Sequence, residues 1–168
     1  MKVTEDGVPV QDVIAAVKVA IKEANISATD EGRDLQVNSV KLVLHVLASR
    51  TAGGRLNFTV PFIGMPVRLG TKVTRQDTHE IEINLAPPDQ NAGHEVREAS
   101  LDLALVDAIE TVRAIVASTA DGDDPFALND AKITLSFAVT AEGEISIGIE
   151  GSMSDEVTNT LILSLVPA

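Results

Sequence analysis

From Val10 to Ala24, the sequence VQDVIAAVKVAIKEA places apolar residues at Val10, Val13, Ile14, Val17, Ile21 and Ala24. That spacing gathers them into one stripe on an α-helix. Pro9 stands where a first helical turn tolerates a missing N–H, and Lys18, Lys22 and Glu23 fall off the stripe. The pattern predicts an amphipathic helix whose apolar side is covered, because a lone helix of this length is marginal in water. The polar stretch Ser27-Ala28-Thr29-Asp30-Glu31-Gly32 is expected to end it.

The period then changes to two. Leu35 and Val37 open an extended segment, interrupted at Asn38-Ser39. Val40, Leu42, Leu44 and Val46 next alternate with Lys41, Val43 and His45 in a first strand. Ala52-Gly53-Gly54 makes a turn. Leu56, Phe58, Val60 and Phe62 alternate with Asn57, Thr59 and Pro61 in a second strand, where Pro61 favours an edge or a bulge. An apolar arm, Ile63 to Gly70, leads to a third strand in which His79, Ile81, Ile83 and Leu85 alternate with Glu80, Glu82 and Asn84. Pro87-Pro88 stops it.

Asp89 to Ala99 is polar, contains a glycine and has no apolar period, so it reads as a linker. Ser100 suits the N-cap of a second helix with the stripe Leu105, Ala108, Ile109, Val112 and Val116. Three more strands follow. Ala131, Ile133, Leu135 and Phe137 mark the first, Ile145, Ile147 and Ile149 the second, and Leu161, Leu163 and Leu165 the third. The halves align element by element: Asp12, Ile14, Val17, Lys18 and Ile21 with Asp107, Ile109, Val112, Arg113 and Val116. Gly54 aligns with Gly143, and Thr78, Ile81, Ile83, Leu85 and Pro87 with Thr158, Leu161, Leu163, Leu165 and Pro167. The expected fold is α+β: a duplicated helix–strand–strand–strand unit in two layers, with antiparallel sheet and one helix per copy. Residues 1–92 form the first copy with the start of the linker, and 93–168 the second. Ile14, Val17, Leu42, Leu44, Phe58, Ile81, Ile83, Ile109, Val112, Ile133, Leu135, Ile147 and Leu163 are the expected core.

Composition narrows the function. The 168 residues carry a formal charge of −12, which disfavours phosphate backbones and anionic lipid surfaces as partners. Four Phe without Tyr or Trp leave little with which to stack bases or sugars. The absence of cysteine excludes disulfides, thiolate nucleophiles and zinc–thiolate sites. A polar start without a signal-peptide core, and no apolar run long enough to span a bilayer, point to the cytoplasm.

Candidate chemistry is sparse. Asp77-Thr78-His79-Glu80 is the densest titratable cluster, but a strand sends Asp77 and His79 to one face and Glu80 to the other, so a polar strand start is favoured over a metal site. His45 and His94 are isolated in sequence. Asp121-Gly122-Asp123-Asp124 resembles a calcium loop only briefly before Pro125-Phe126 interrupts it. Ser152 lacks the second glycine of a nucleophile elbow, and Ala52-Gly53-Gly54 does not precede a helix. No catalytic, metal or cofactor residue is assigned.

The stretches VPVQDVIAAVKVAIKEA, LQVNSVKLVLHV, LNFTVPFIG and TRQDTHEIEINLAPPD resemble the second type of trypsin-co-occurring domain, over residues 8 to 88. A fainter copy spans 100 to 168, with Thr158-Asn159 where the first has Thr78-His79. The resemblance implies a small accessory or adaptor module in bacterial multi-gene, defence-like systems encoded near trypsin-like proteases. The expected function is therefore a non-catalytic protein-interaction module. Its partner is another protein, with self-association into a homo-oligomer also open, and neither nucleic acid nor membrane is expected. The alternative is a small-ligand-binding protein or divergent hydrolase with a pocket between the copies. The extra apolar length of copy one, with Phe62, Met65, Val67 and Leu69, either folds over copy two or a second chain, or forms a docking strip.

Overall fold

The computed structural model describes residues 1–27, 32, 34–66, 72–87, 102–118, 128–147 and 157–168. In chain order they form β1 (Val8–Pro9), α1 (Val10–Glu23), β2 (Leu35–Arg50), β3 (Leu56–Val60), β4 (His79–Leu85), α2 (Leu103–Ala117), β5 (Ala131–Val139), β6 (Ile145–Ile147) and β7 (Asn159–Pro167). The expected two helices and six strands are all present, and β1 is an addition. Ile149 and the linker 89–99 lie outside the described residues.

Pro9 is the N-cap of α1, with no side chain capping the first N–H groups. The helix ends earlier than the polar stretch suggested. Asn25 adopts φ 56°, and the Asn25 and Ile26 N–H groups donate back to the Lys22 and Ile21 carbonyls at 3.0 and 3.3 Å. This is the left-handed ending in which a residue at C′ turns the chain and satisfies the last carbonyls. The buried side carries Val10, Val13, Ala16, Val17, Ala20, Ile21 and Ala24, while Ile14 is only half-buried. The stripe is thus rotated toward the alanines. Those small side chains leave room for close neighbours, and α1 packs against α2 as well as β1 and β3.

All seven strands join one sheet through antiparallel pairs. β2 is its spine. Over residues 40–46 it pairs with β4, over 35–43 with β7, and over 47–50 with β3. Because 40–43 have partners on both sides, β4 and β7 occupy opposite edges. The interruption foreseen at Asn38-Ser39 is a shift of register against β7 between Val37 and Ser39, so a bulge is absorbed and the strand continues. Rows of apolar side chains cross the sheet on one face. Ile83, Leu42, Leu161 and Leu135 form one such row, and Leu85, Val40, Leu163 and Ile133 another. Leu42, Leu44, Leu161 and Leu163 are fully buried, and a single core cluster takes in residues of both halves and both helices.

Two expectations fail. Phe58 is 37% exposed, not core, because β3 crosses only the last four residues of β2, beyond the span where the second half builds the sheet. The cap of α2 is Asp102, which precedes Leu103 directly; Ser100 lies outside the described residues.

The halves share their connectivity. In the first, β2 pairs with β3 through a hairpin and with β4; in the second, β5 pairs with β6 through a hairpin and with β7. Leu42 faces Ile83 as Ile133 faces Leu163. The hairpin turns match bond for bond. Thr51 N–H donates to Arg55 O at 2.9 Å and Gly54 N–H to Thr51 O at 2.9 Å, as Thr140 does to Glu144 at 2.8 Å and Gly143 to Thr140 at 3.0 Å. The Thr51 and Thr140 hydroxyl oxygens accept from Arg55 and Glu144 N–H, each at 3.2 Å. Gly54 and Gly143 both carry the positive φ the turn requires, 77° and 81°.

Candidate interaction surface

The titratable cluster of the first half is split by the fold. Asp77 closes a short 3₁₀ turn, its Oδ2 accepting from the Thr74 N–H at 2.8 Å and the Thr74 hydroxyl at 3.0 Å. His79 begins β4 opposite Val46 and is exposed. Glu80 and Thr78 instead meet His45, whose Nε2 lies 3.8 Å from Glu80 Oε2 and whose Nδ1 lies 3.3 Å from the Thr78 hydroxyl. Folding brings His45 to this corner, but toward Glu80 and not toward His79. Among the described residues, no group of three or more His, Asp or Glu side chains is placed to hold a metal ion. His94, Asp121 to Asp124 and Ser152 lie outside the described residues.

Phe62 and Ile63, at the start of the apolar arm, are bonded to the second half. Phe62 bridges to Val139, the Ile63 N–H donates to Val139 O at 2.8 Å, and Met65 is bonded on both sides, to Phe62 O and from Val73 N–H. Met65 is buried and Phe62 half-buried against the core. Val67 and Leu69 lie outside the described residues.

Two buried polar side chains escaped the sequence reading. Asp102 caps α2 by accepting from Leu105 N–H at 3.2 Å, and its second oxygen accepts from Ile145 N–H at 2.7 Å, tying the helix to β6. The signal was an acid directly before an apolar helical run, obscured by the more familiar Ser100. Asn159 sits in the apolar row between Leu44 and Phe137, where its Oδ1 accepts from His45 N–H at 2.9 Å. At that point a side chain takes over the ladder from the β7 backbone. A third polar tie joins the halves: the Arg113 guanidinium holds the Asp34 carboxylate at 2.8 Å and donates to Ala24 O at 3.0 Å. That guanidinium keeps the Asp34 carboxyl below its usual range.

Two shallow grooves of mixed polar and apolar lining are open to solvent. One groove of about 370 Å³ is lined by Pro9, Val10, Leu56, Phe58 and Ile81, with Leu56 52% exposed. The other, about 420 Å³, is lined by Ala104, Asp107, Ala108, Glu144 and Ile147. Each lies within one half, between the start of a helix and the second strand of the hairpin. Leu103 and Ile115 of α2 are exposed as well, at 71% and 62%. Among the described residues, no helix is long and apolar enough to cross a membrane.

No curated protein and no solved structure matches the chain. Residues 8–87 match the family model described as trypsin-co-occurring domain 2, a span that covers α1, the β2–β3 hairpin and β4 and stops short of α2. Over that span, just under half of the chain, the sequence is similar to the trypsin-co-occurring domain 2 family.

Proposed function

We propose that this protein is a non-catalytic interaction adaptor built from two related helix–strand–strand–strand units. The carrying observation is the apolar surface left at the first unit, where Leu56 and Phe58 stand exposed beside Pro9, Val10 and Ile81. Exposed apolar side chains grouped on a rigid sheet are the kind of surface that another protein covers. The titratable side chains named above are engaged in capping, turn closure and ion pairs, which favours a structural use for them. The matched hairpins and the shared register of the first and third strands support the duplicated reading of the second half. The resemblance to trypsin-co-occurring domain 2 favours an accessory role in a bacterial multi-gene, defence-like system, and the acidic chain suits a cytoplasmic protein.

The test replaces Leu56 and Phe58 together with Asp and uses the tagged protein to capture partners from its native host. The expected result is an unchanged circular dichroism spectrum and loss of the captured protein. Identical capture by both forms would overturn the assignment of this surface. Turnover of a substrate by the purified chain would overturn the non-catalytic reading.

A further inference from the structure

The internal junction between the halves has two sides. The first half offers an edge of β2, and the second half adds β7 to it, with Val40 opposite Leu163 and Leu42 opposite Leu161. If the halves are related units, each retains the counterpart of the side it does not use. The first half retains β4, counterpart of β7, whose outer edge has no strand partner among the described residues. The second retains the edge of β5 facing away from β7. There β6 covers only Phe137 to Val139, so residues 131–134 have no described partner on that side.

Burial follows the same division. Leu161 and Leu163 of β7 are 0% exposed, whereas their counterparts Ile81 and Ile83 on β4 are only half-buried. On the helices, Ala20 of α1 is 0% exposed, while its counterpart Ile115 of α2 is 62% exposed. Ile109 is 1% exposed, but its counterpart Ile14 is half-buried. Ile81 and Ile83 on β4, Ile14 on α1 and Ile115 on α2 are thus more open than their counterparts, while Ile133 on β5 is already buried.

We propose that these sides join between molecules. β4 of one chain adds antiparallel to residues 131–134 of β5 in a second copy, and α1 of the first covers the exposed Ile115 of α2 in the second. This rests on the duplicated reading above. Carrying the β2–β7 register across places Ile81 opposite Ile133 on the apolar face and Glu82 opposite Lys132 on the exposed face. The charges are complementary, and the apolar pair continues the existing rows. Such a contact uses different patches on the two partners, so it propagates head to tail into a ring or a filament.

A chain without cysteine allows a clean cross-linking test. Directly opposed residues of antiparallel strands bring Cβ atoms about 4.5–5.5 Å apart, close to what a disulfide bridges. Glu82→Cys and Lys132→Cys chains, mixed and oxidised, are expected to give a covalent dimer containing one of each. Either chain alone is expected to give none. A Lys41→Cys/Ile162→Cys chain reports on the internal junction, where the same positions face each other, and should close within the monomer. If that bridge closes and the mixed chains do not link, the head-to-tail proposal is overturned while the duplicated fold stands. If the internal bridge also fails, the junction underlying both readings is wrong. Replacing Ile115 with Asp should convert the assembly to monomer in sedimentation velocity, and an unchanged sedimentation profile would overturn the helix part of the interface. A chain that stays monomeric yet captures another protein would overturn self-assembly alone and leave the adaptor reading intact.

Discussion

The two helices are held by different means. α1 has no side-chain cap and buries Val10, Val13, Ala16, Val17, Ala20 and Ile21. α2 fully buries only Leu105 and Ile109, and Asp102 anchors its first turn to β6. A helix surrounded by packing draws its order from area removed from water, so its ends can be plain. One lying at the margin needs a polar anchor at a fixed point. Shortly before α1 the chain has Gly7, at φ 113°, where a Cβ would stand 2.5 Å from the Val60 carbonyl oxygen. One half brings its helix start close to the hairpin through a backbone that only glycine permits; the other reaches across with a carboxylate.

The comparison breaks most forcefully at the buried contacts. Ile109→Ala should cost about 2–5 kcal/mol in urea unfolding, as for a buried aliphatic truncation, whereas Ile14→Ala at the half-buried counterpart should cost clearly less. Equal losses would show that α1 and α2 are not packed as unequally as their burial indicates. Asp102→Ala removes a cap and leaves the Ile145 N–H unpaired inside the protein, for a loss of about 1–3 kcal/mol. Gly7→Ala should destabilise by about 1–3 kcal/mol through backbone strain, and hydrogen exchange should place the loosening at β1 and β3. If Gly7→Ala is neutral, the close approach of β1 to Val60 is not a constraint.

The smallest effect concerns the tie between the halves. Asp34 is held below its ordinary value of 3.8 by the Arg113 hydrogen bond, so the folded state binds its proton less readily than the unfolded chain. Its contribution is complete above that ordinary value and is lost as pH falls through the lower folded value. Because the pair is largely solvent-exposed, the expected loss is under about 1 kcal/mol. Asp34→Asn should lower stability slightly at neutral pH and flatten this acid limb, which unfolding midpoints between pH 5 and about 2 would measure. An unchanged limb would assign the acid sensitivity to other carboxylates.

Much of the fold was legible because periodicity is set by burial. Leu42, Leu44, Leu161 and Leu163 alternate cleanly and are all fully buried. Phe58 alternates just as cleanly and is exposed, because the sequence cannot say how far along β2 the covering elements extend. The same limit hid the rotation of α1 toward Ala16 and Ala20, since small residues carry a weak apolar signal yet mark where another element comes close. The candidate site was less legible still. His45 meets Thr78 and Glu80 only through a strand pairing across the turn and arm that separate them, and Asp102 reaches β6 across most of the second half. Long-range polar partners leave no local period to read.

The length of β2 has a consequence for how the chain comes into being. Sixteen residues long, it is synthesised well before β7, the strand that completes its 35–43 edge and the last among the described residues. Until then a nascent chain displays a bare, Leu- and Val-rich ladder whose partner has not been made. Folding must therefore wait for the final strand, which predicts slow, non-local closure and a period in which the early half is open to mispairing with its neighbours on the same message. A stop codon placed before Asn159 should leave that edge permanently uncovered and send the product into aggregates.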